Sequence, residues 1–413
     1  MQSLPFRMPW MASAFVLSTI LSLQGLAESP KADAFYVPPS PLPIGAHGSV
    51  IRSRNLTDAA ALPSAGRNLL VMYHSTTEDG RDVAVTGTIA IPAGDPPASG
   101  WPVTTWTHGT TGIVSMCSPS LDTPDGPEHP FLGMHEVVMD DYVKRGYVVV
   151  ATDYQGLGPP GLHPFLQGAS EAHGALDILR AARQIDPHIG TRYVVIGHSQ
   201  GGQADLFTAA LAPRYVPELT LLGDIALAPA SHIAATLNAM RRASAPSYAL
   251  GYAMYVLESF ASNHSEIKLD QILTREALNH LPETRQACIT ATVSKGYWAT
   301  AIPKDQFLPK ADLVRILEIA AENEPSVLKI SVPTLIVQGT ADDTVNPSWT
   351  DDVARSLCRD GSPIEYMVYP AATHETVLTS AAAEMRMWVD ARFAGENAHS
   401  NCHSLPSAVV SAK

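Results

Sequence analysis

One serine in this sequence stands where a nucleophile would need to be. Ser199 lies in Gly197-His198-Ser199-Gln200-Gly201-Gly202, directly after the apolar run Tyr193-Val194-Val195-Ile196 and ahead of a helix-like segment. A serine hydroxyl is a weak nucleophile until a base takes its proton. A sharp strand-to-helix turn lifts it into the open and aims the first free amides of the helix at the reacting carbonyl. Flanking glycines are needed because side chains there would clash. The bare GxSxG spacing arises by chance, and a small-residue helix start packed against a sheet would share it. The strand before it and the helix after it are what single out Ser199.

Such a serine needs a base and an acid that orients the base, and in a strand-turn-helix setting they follow in the order Ser, Asp or Glu, His. The apolar run Thr334–Gln338 ends in Gly339-Thr340-Ala341-Asp342-Asp343. The acid is expected three residues after that glycine, which favours Asp342 over Asp343; Asp343 is then a turn residue bonded to neighbouring backbone. A second run, Ile364–Tyr369, leads into Pro370-Ala371-Ala372-Thr373-His374. His374 is the expected base, taking the serine proton and later giving it to a leaving alcohol. His399 and His403 are downstream alternatives in an irregular tail. An oxyanion would be met by the backbone N–H of Gln200 and by one from the loop His108-Gly109-Thr110-Thr111-Gly112, where Thr110 is favoured over Gly109 and Thr111. His108 is expected to brace that loop.

These residues must be positioned by a sheet. Asn68–Ser75 and Val83–Ile91 alternate in polarity around the turn Glu78-Asp79-Gly80 and predict an antiparallel pair. Short runs rich in Val, Ile and Tyr then predict strands at 103–107, 147–153, 193–197, 219–227, 334–338 and 364–369. Helices are expected at 135–145, 169–184, 201–212, 347–358 and 376–393. Strands alternating with helices imply an α/β fold, a mostly parallel sheet flanked by helices. Between Ala230 and Ser326 no buried strand is legible, and that stretch is too long for a loop. It predicts a helical cap insertion at 230–326 that divides the core into 28–229 and 327–413. Within it, the apolar and aromatic run Tyr248 to Val256 suits either an acyl-chain tunnel or lid, or the cap's own core.

The chain has 413 residues, 46% of them hydrophobic, enough for a large core. Its net charge of −13, with 27 Lys+Arg thinly spread, argues against nucleic acid and against anionic lipid headgroups. Any transient lipid-interface contact is expected through apolar surface of the cap. Arg7, the apolar run Trp10 to Leu23 and small residues at Gly25 and Ala27 predict an export signal over 1–27, the run being short for a membrane anchor. The mature chain is thus expected to be secreted, or periplasmic in a Gram-negative source. Its cysteines, Cys117, Cys288, Cys358 and Cys402, form no CxxC pair. They suggest two disulfides in one of three connectivities, with no metal site and no cofactor. The sequence implies no particular oligomeric state.

Taken together, His108-Gly109-Thr110-Thr111-Gly112, Cys117-Ser118-Pro119-Ser120, Asp153-Tyr154-Gln155-Gly156-Leu157-Gly158, Gly197-His198-Ser199-Gln200-Gly201 and the Asp342 and His374 loops resemble the secretory lipase family. That resemblance implies an α/β-hydrolase fold, a helical cap and carboxylic ester substrates. It also implies Cys117–Cys288 and Cys358–Cys402 pairing, and a bracing role for Asp153 beneath the pocket. A yeast member of the family has an acidic residue in the oxyanion loop where this chain has threonines, so that side-chain contribution is not carried over. The leading reading is therefore an ester hydrolase, a lipase or carboxylesterase. An acyltransferase or peptidase on the same scaffold, or a catalytically inactive binding module, would share the fold. An intact Ser199, Asp342 and His374 set argues against the last.

Overall fold

The computed structural model describes residues 33–409, so the expected export signal at 1–27 lies outside the described residues. The antiparallel start is β1 (Val50–Asn55), β2 (Ala65–Thr76) and β3 (Asp82–Pro92), followed by β4 (Trp101–Thr107). Then come α1 (His129–Lys144), β5 (Val148–Thr152), α2 (Gly168–Ile185), β6 (Ile189–His198), α3 (Gln200–Tyr215) and β7 (Thr220–Leu227). An insertion carries α4 (Ile233–Met240), α5 (Ala249–Asn263), α6 (Arg275–His280), α7 (Ile289–Ser294), α8 (Gly296–Thr300) and α9 (Val314–Glu322). The chain returns through β8 (Thr334–Gly339), α10 (Pro347–Arg359), β9 (Ile364–Tyr369), α11 (Val377–Ser380) and α12 (Ala382–Ala394).

Nine strands, among the described residues, form one sheet in the order β1-β2-β3-β5-β4-β6-β7-β8-β9. Pairing is antiparallel from β1 to β5 and parallel from β5 to β9. Alternate residues along a strand face opposite sides. Leu335 and Val337 of β8 accordingly pack with α1, α11 and α12, whereas Ile336 packs with α3 and α10. On the same side as α3, α2 covers Val148 and Val150 of β5.

Two departures from the sequence reading have local causes. β1 went unpredicted because Val50-Ile51-Arg52-Ser53-Arg54-Asn55 has neither alternation nor an apolar run, and the strand is an edge with no fully buried residue. The single helix expected at 376–393 is two, broken at Ala381, where ψ is −3°. No proline or glycine marks that break; Val377 and Leu378 on one side and Met385 and Val389 on the other all turn into one apolar cluster.

The insertion adds no strand to the sheet and has a core of its own, with Leu237, Leu250, Met254, Leu257, Phe260, Trp298 and Ile316 buried together. It is fastened to the sheet domain by the Cys117–Cys288 disulfide, and the second disulfide joins Cys358 to Cys402 in the C-terminal tail. Backbone ties add to the first: Ile289 N–H donates to Thr111 O at 2.9 Å. Among the described residues, Phe35 to Val409 form one compact unit.

Candidate active site

Ser199 sits between β6 and α3 with φ 60° and ψ −120°, a conformation that costs a non-glycine residue on the order of 1–3 kcal/mol. Its surroundings hold it there. The Ser199 N–H donates to Leu227 O at 2.9 Å, and its carbonyl accepts from Gln203 at 3.1 Å and Ala230 at 2.9 Å. The glycines of the motif are dictated by contact. A Cβ on Gly197 would fall 2.1 Å from Gly201 O, and one on Gly201 would fall 2.0 Å from Thr107 O. Gln200 opens α3, so its N–H is among those a helix leaves without an internal partner.

The loops after β8 and β9 are laced together. Ala341 N–H donates to Ala372 O at 2.9 Å, and Ala371 N–H to Thr340 Oγ1 at 2.8 Å. Gly339 is required where they meet, because a Cβ there would lie 2.2 Å from Ala372 O. This lacing places His374 Nδ1 2.8 Å from Asp342 Oδ2, with both residues buried. The other Asp342 oxygen accepts the N–H groups of Thr344 and Val345, at 2.9 and 2.8 Å, while Oδ2 also accepts from Gln338 Nε2 at 3.0 Å. Asp343 is exposed, and its backbone carbonyl accepts from the Tyr248 hydroxyl. His399 lies apart, 3.4 Å from Glu365, and His403 is exposed. Ser199 and His374 line the same cavity. Among the described residues the Ser199 hydroxyl has no hydrogen bond to His374, a contact that commonly tightens only with substrate in place.

Thr110 lines that cavity beside Ser199. Its loop is held by His108, whose ring reaches Gly109 O at 2.7 Å and Asp153 O at 3.3 Å, and by Tyr154, whose hydroxyl donates to His108 O at 3.1 Å. Burial lowers His108 to about 4, so near pH 7 the neutral ring has a single N–H and donates to one carbonyl, that of Gly109 or that of Asp153. Asp153 accepts from Ser120 N at 2.9 Å and from Thr86 Oγ1 at 2.6 Å. Its carboxylate joins three chain segments beneath the pocket and does not line the cavities at Ser199.

Two supports escaped the sequence reading, and both start from neighbours of Ser199. His198 Nε2 lies 2.8 Å from His374 O; a carbonyl only accepts, so Nε2 carries the hydrogen. His198 Nδ1 then accepts from His135 Nε2 at 3.3 Å. On the other side, Gln200 Nε2 donates to His163 Nε2 at 2.6 Å and to Glu171 Oε1 at 2.7 Å, all buried. Elsewhere, Asp122, His129 and Glu136 bring ligand-type atoms within 4.8 Å of one another, a cluster that includes no residue of the site.

Two cavities meet at Ser199. One, of about 90 Å³, is walled by Phe165, Ile233, Leu237, Ala253, Val256 and Trp349 and has no charged residue on its lining. The other, of about 420 Å³, is lined by His374, Phe131, Met134 and several polar groups. The apolar run divides: Leu250 and Met254 of α5 lie in the insertion's core, while Tyr248, just before the helix, and Tyr252 line both cavities.

The family described as secretory lipase matches residues 131–401. The chain belongs to the secretory lipase family. It is thus an exported hydrolase of carboxylic esters with an α/β-hydrolase fold. A secreted triacylglycerol lipase of Malassezia globosa is 22% identical over 391 residues, covering 91% of this chain and 83% of that one. A probable inactive lipase of Mycobacterium tuberculosis is 25% identical over 384 residues, covering 89% and 83%. Candida antarctica lipase A in its closed state superposes with a TM-score of 0.77 at 20% identity, covering 92% of this chain and 89% of that one. Since a relative described as a triacylglycerol lipase and one described as a probable inactive lipase are similarly distant, the roles of individual residues in this secretory lipase rest on its own geometry.

Proposed function

We propose that this secretory lipase cleaves esters through an acyl-enzyme on Ser199, with His374 as base and Asp342 as the acid that orients it. The observation that carries this reading is the 2.8 Å contact of His374 Nδ1 with Asp342 in a cavity shared with Ser199. Asp342 fixes the tautomer, leaving Nε2 to take the serine proton as Oγ attacks the ester carbonyl. The N–H groups of Gln200 and Thr110 meet the oxyanion, each worth about 2.7–4 kcal/mol in the transition state. His374 returns its proton to the departing alcohol, and water repeats the sequence on the acyl-enzyme.

The proton transfer assigns the two cavities. His374 lines only the wider one, so the alcohol leaves through that side and the acyl chain occupies the narrow apolar slot. Segment 230–326 is the cap that walls this slot. At about 90 Å³ the slot is smaller than the ~150 Å³ that houses one benzene molecule in an engineered apolar cavity, which suits short acyl chains. Lipid-interface contact falls to the cap, where Tyr248 and Ile302 are exposed. Turnover of p-nitrophenyl esters of increasing acyl length tests the assignment. It should peak at butyrate or hexanoate and vanish in Ser199→Ala; retained turnover in that variant would remove Ser199 as nucleophile.

A further inference from the structure

The two cavities at Ser199 differ in charge as well as in size. No charged residue lines the acyl slot, whereas the wider cavity has Glu128, Asp343 and Glu375 on its lining and neither lysine nor arginine. Glu128 is already engaged, accepting the Thr290 N–H at 3.0 Å and its hydroxyl at 2.8 Å. Glu375 Oε2 accepts the Thr373 hydroxyl at 3.1 Å, a single contact against the two on Glu128, so the charge more open to a ligand is that of Asp343 and Glu375, the residues that directly follow Asp342 and His374 in the chain. They stand on the alcohol side because the two laced loops carry them there together.

Three aromatic residues, Tyr248, Tyr252 and Phe131, share this lining with the carboxylates and with Met134, Ile289 and Val293. The tyrosines register the charge. Tyr248 is raised by burial first and next by Asp343, with Asp342 and Glu375 adding to it. Tyr252 is raised by burial, then by Tyr248, Glu128 and Glu375. Every ionic influence on these two hydroxyls is negative. A half-enclosed pocket lined by aromatic rings and by carboxylates that face no lysine or arginine on its lining is suited to a positively charged group, most of all a weakly hydrated quaternary ammonium. A phosphate or carboxylate on the alcohol would meet repulsion with nothing to offset it.

Resting on the ester-hydrolase reading above, we propose that the alcohol side of this site selects cationic amino alcohols, with Asp343 and Glu375 as the specificity-determining residues. The acyl slot is indifferent to charge, so the preference belongs to the leaving group alone. Its size should be on the order of tenfold in kcat/KM, since one cation–π contact and two partly solvated carboxylates each contribute modestly.

The test compares butyrylcholine with 3,3-dimethylbutyl butyrate, its uncharged carbon isostere, using acid release in a pH-stat and p-nitrophenyl butyrate as reference. The wild-type ratio of kcat/KM, charged over neutral, should be about ten at low salt and shrink as salt screens the carboxylates. In Asp343→Asn/Glu375→Gln the ratio should fall toward one. Because the ratio is internal to each protein, partial loss of folded enzyme does not alter it. A wild-type ratio near one, or a ratio unchanged in the double variant, overturns the proposal while leaving the hydrolase reading intact if p-nitrophenyl butyrate is turned over. Failure on all three esters overturns that reading and this inference with it.

Discussion

His198 and His374 are joined through the backbone: the imidazole of the residue before the nucleophile donates to the carbonyl of the proposed base at 2.8 Å. The base is thereby held from two directions, its ring by Asp342 and its main chain by His198. Burial, followed by repulsion from His374 and His135, pushes His198 well below the usual imidazole range, so this tether stays neutral. His198→Ala should lower kcat by roughly 10- to 100-fold, the cost of misplacing a catalytic group by about 1 Å, with little change in KM. His198→Asn, whose amide can still donate, should recover part of the loss. Equal kcat in His198→Ala and wild type would show that Asp342 alone positions the base.

Asp342 and Asp343 differ in what surrounds them, and their substitution should separate accordingly. Asp342 receives two backbone N–H groups, the Gln338 amide and the His374 ring, so its carboxylate is fixed in place. Asp342→Asn should cost on the order of 10⁴ in kcat by favouring the wrong imidazole tautomer. The loss at Asp342 should exceed that in Asp343→Asn by at least a hundredfold in p-nitrophenyl butyrate turnover. Comparable losses would mean that both carboxylates serve His374.

The residues proposed to do the chemistry were legible because they follow one another in a fixed order at the ends of strong apolar strands. Ser199, Asp342 and His374 each stand just beyond such a run, and the parallel pairing of β6 to β9 brings those ends to one edge of the sheet. The residues that steady them were not legible, since their partners lie 29, 37, 63 and 176 positions away. Nothing local distinguishes His135 or His163 from any other histidine; their roles exist only once β6, α1 and α2 are packed. The cavities were hidden for a related reason. The run from Tyr248 to Val256 is apolar on every side, so its pattern does not show which face would meet the insertion's core and which would meet Ser199.

Gln200 ties the expected oxyanion amide to the interior through its side chain, with His163 and Glu171 as anchors. An oxyanion donor must sit within a few tenths of an ångström to be effective. Gln200→Ala keeps the backbone N–H but frees its position, and should reduce kcat about tenfold while KM moves less than about threefold. Binding of a boronic acid transition-state analogue should weaken in the same proportion. Unaltered analogue binding would reduce this network to ordinary packing.

Beneath the nucleophile turn, Asp224 of β7 and Asp205 of α3 are both fully buried. Burial pushes the Asp224 carboxyl up to about 8, against the pull of the Thr334 hydroxyl, and burial together with Asp224 raises Asp205 well above its usual range. The unfolded chain releases the Asp224 proton near pH 3.9. Between about 4 and 8 the folded protein therefore holds a proton that the unfolded chain has lost, and stability falls as pH rises through that window. Asp224→Asn keeps the shape, removes the titration and relieves Asp205 of a like charge. Its Tm should exceed that of wild type by several degrees at pH 8, with the difference narrowing toward pH 4. Melting curves for the two proteins that run parallel from pH 4 to 8 would show that this buried pair does not set the alkaline limit of the fold.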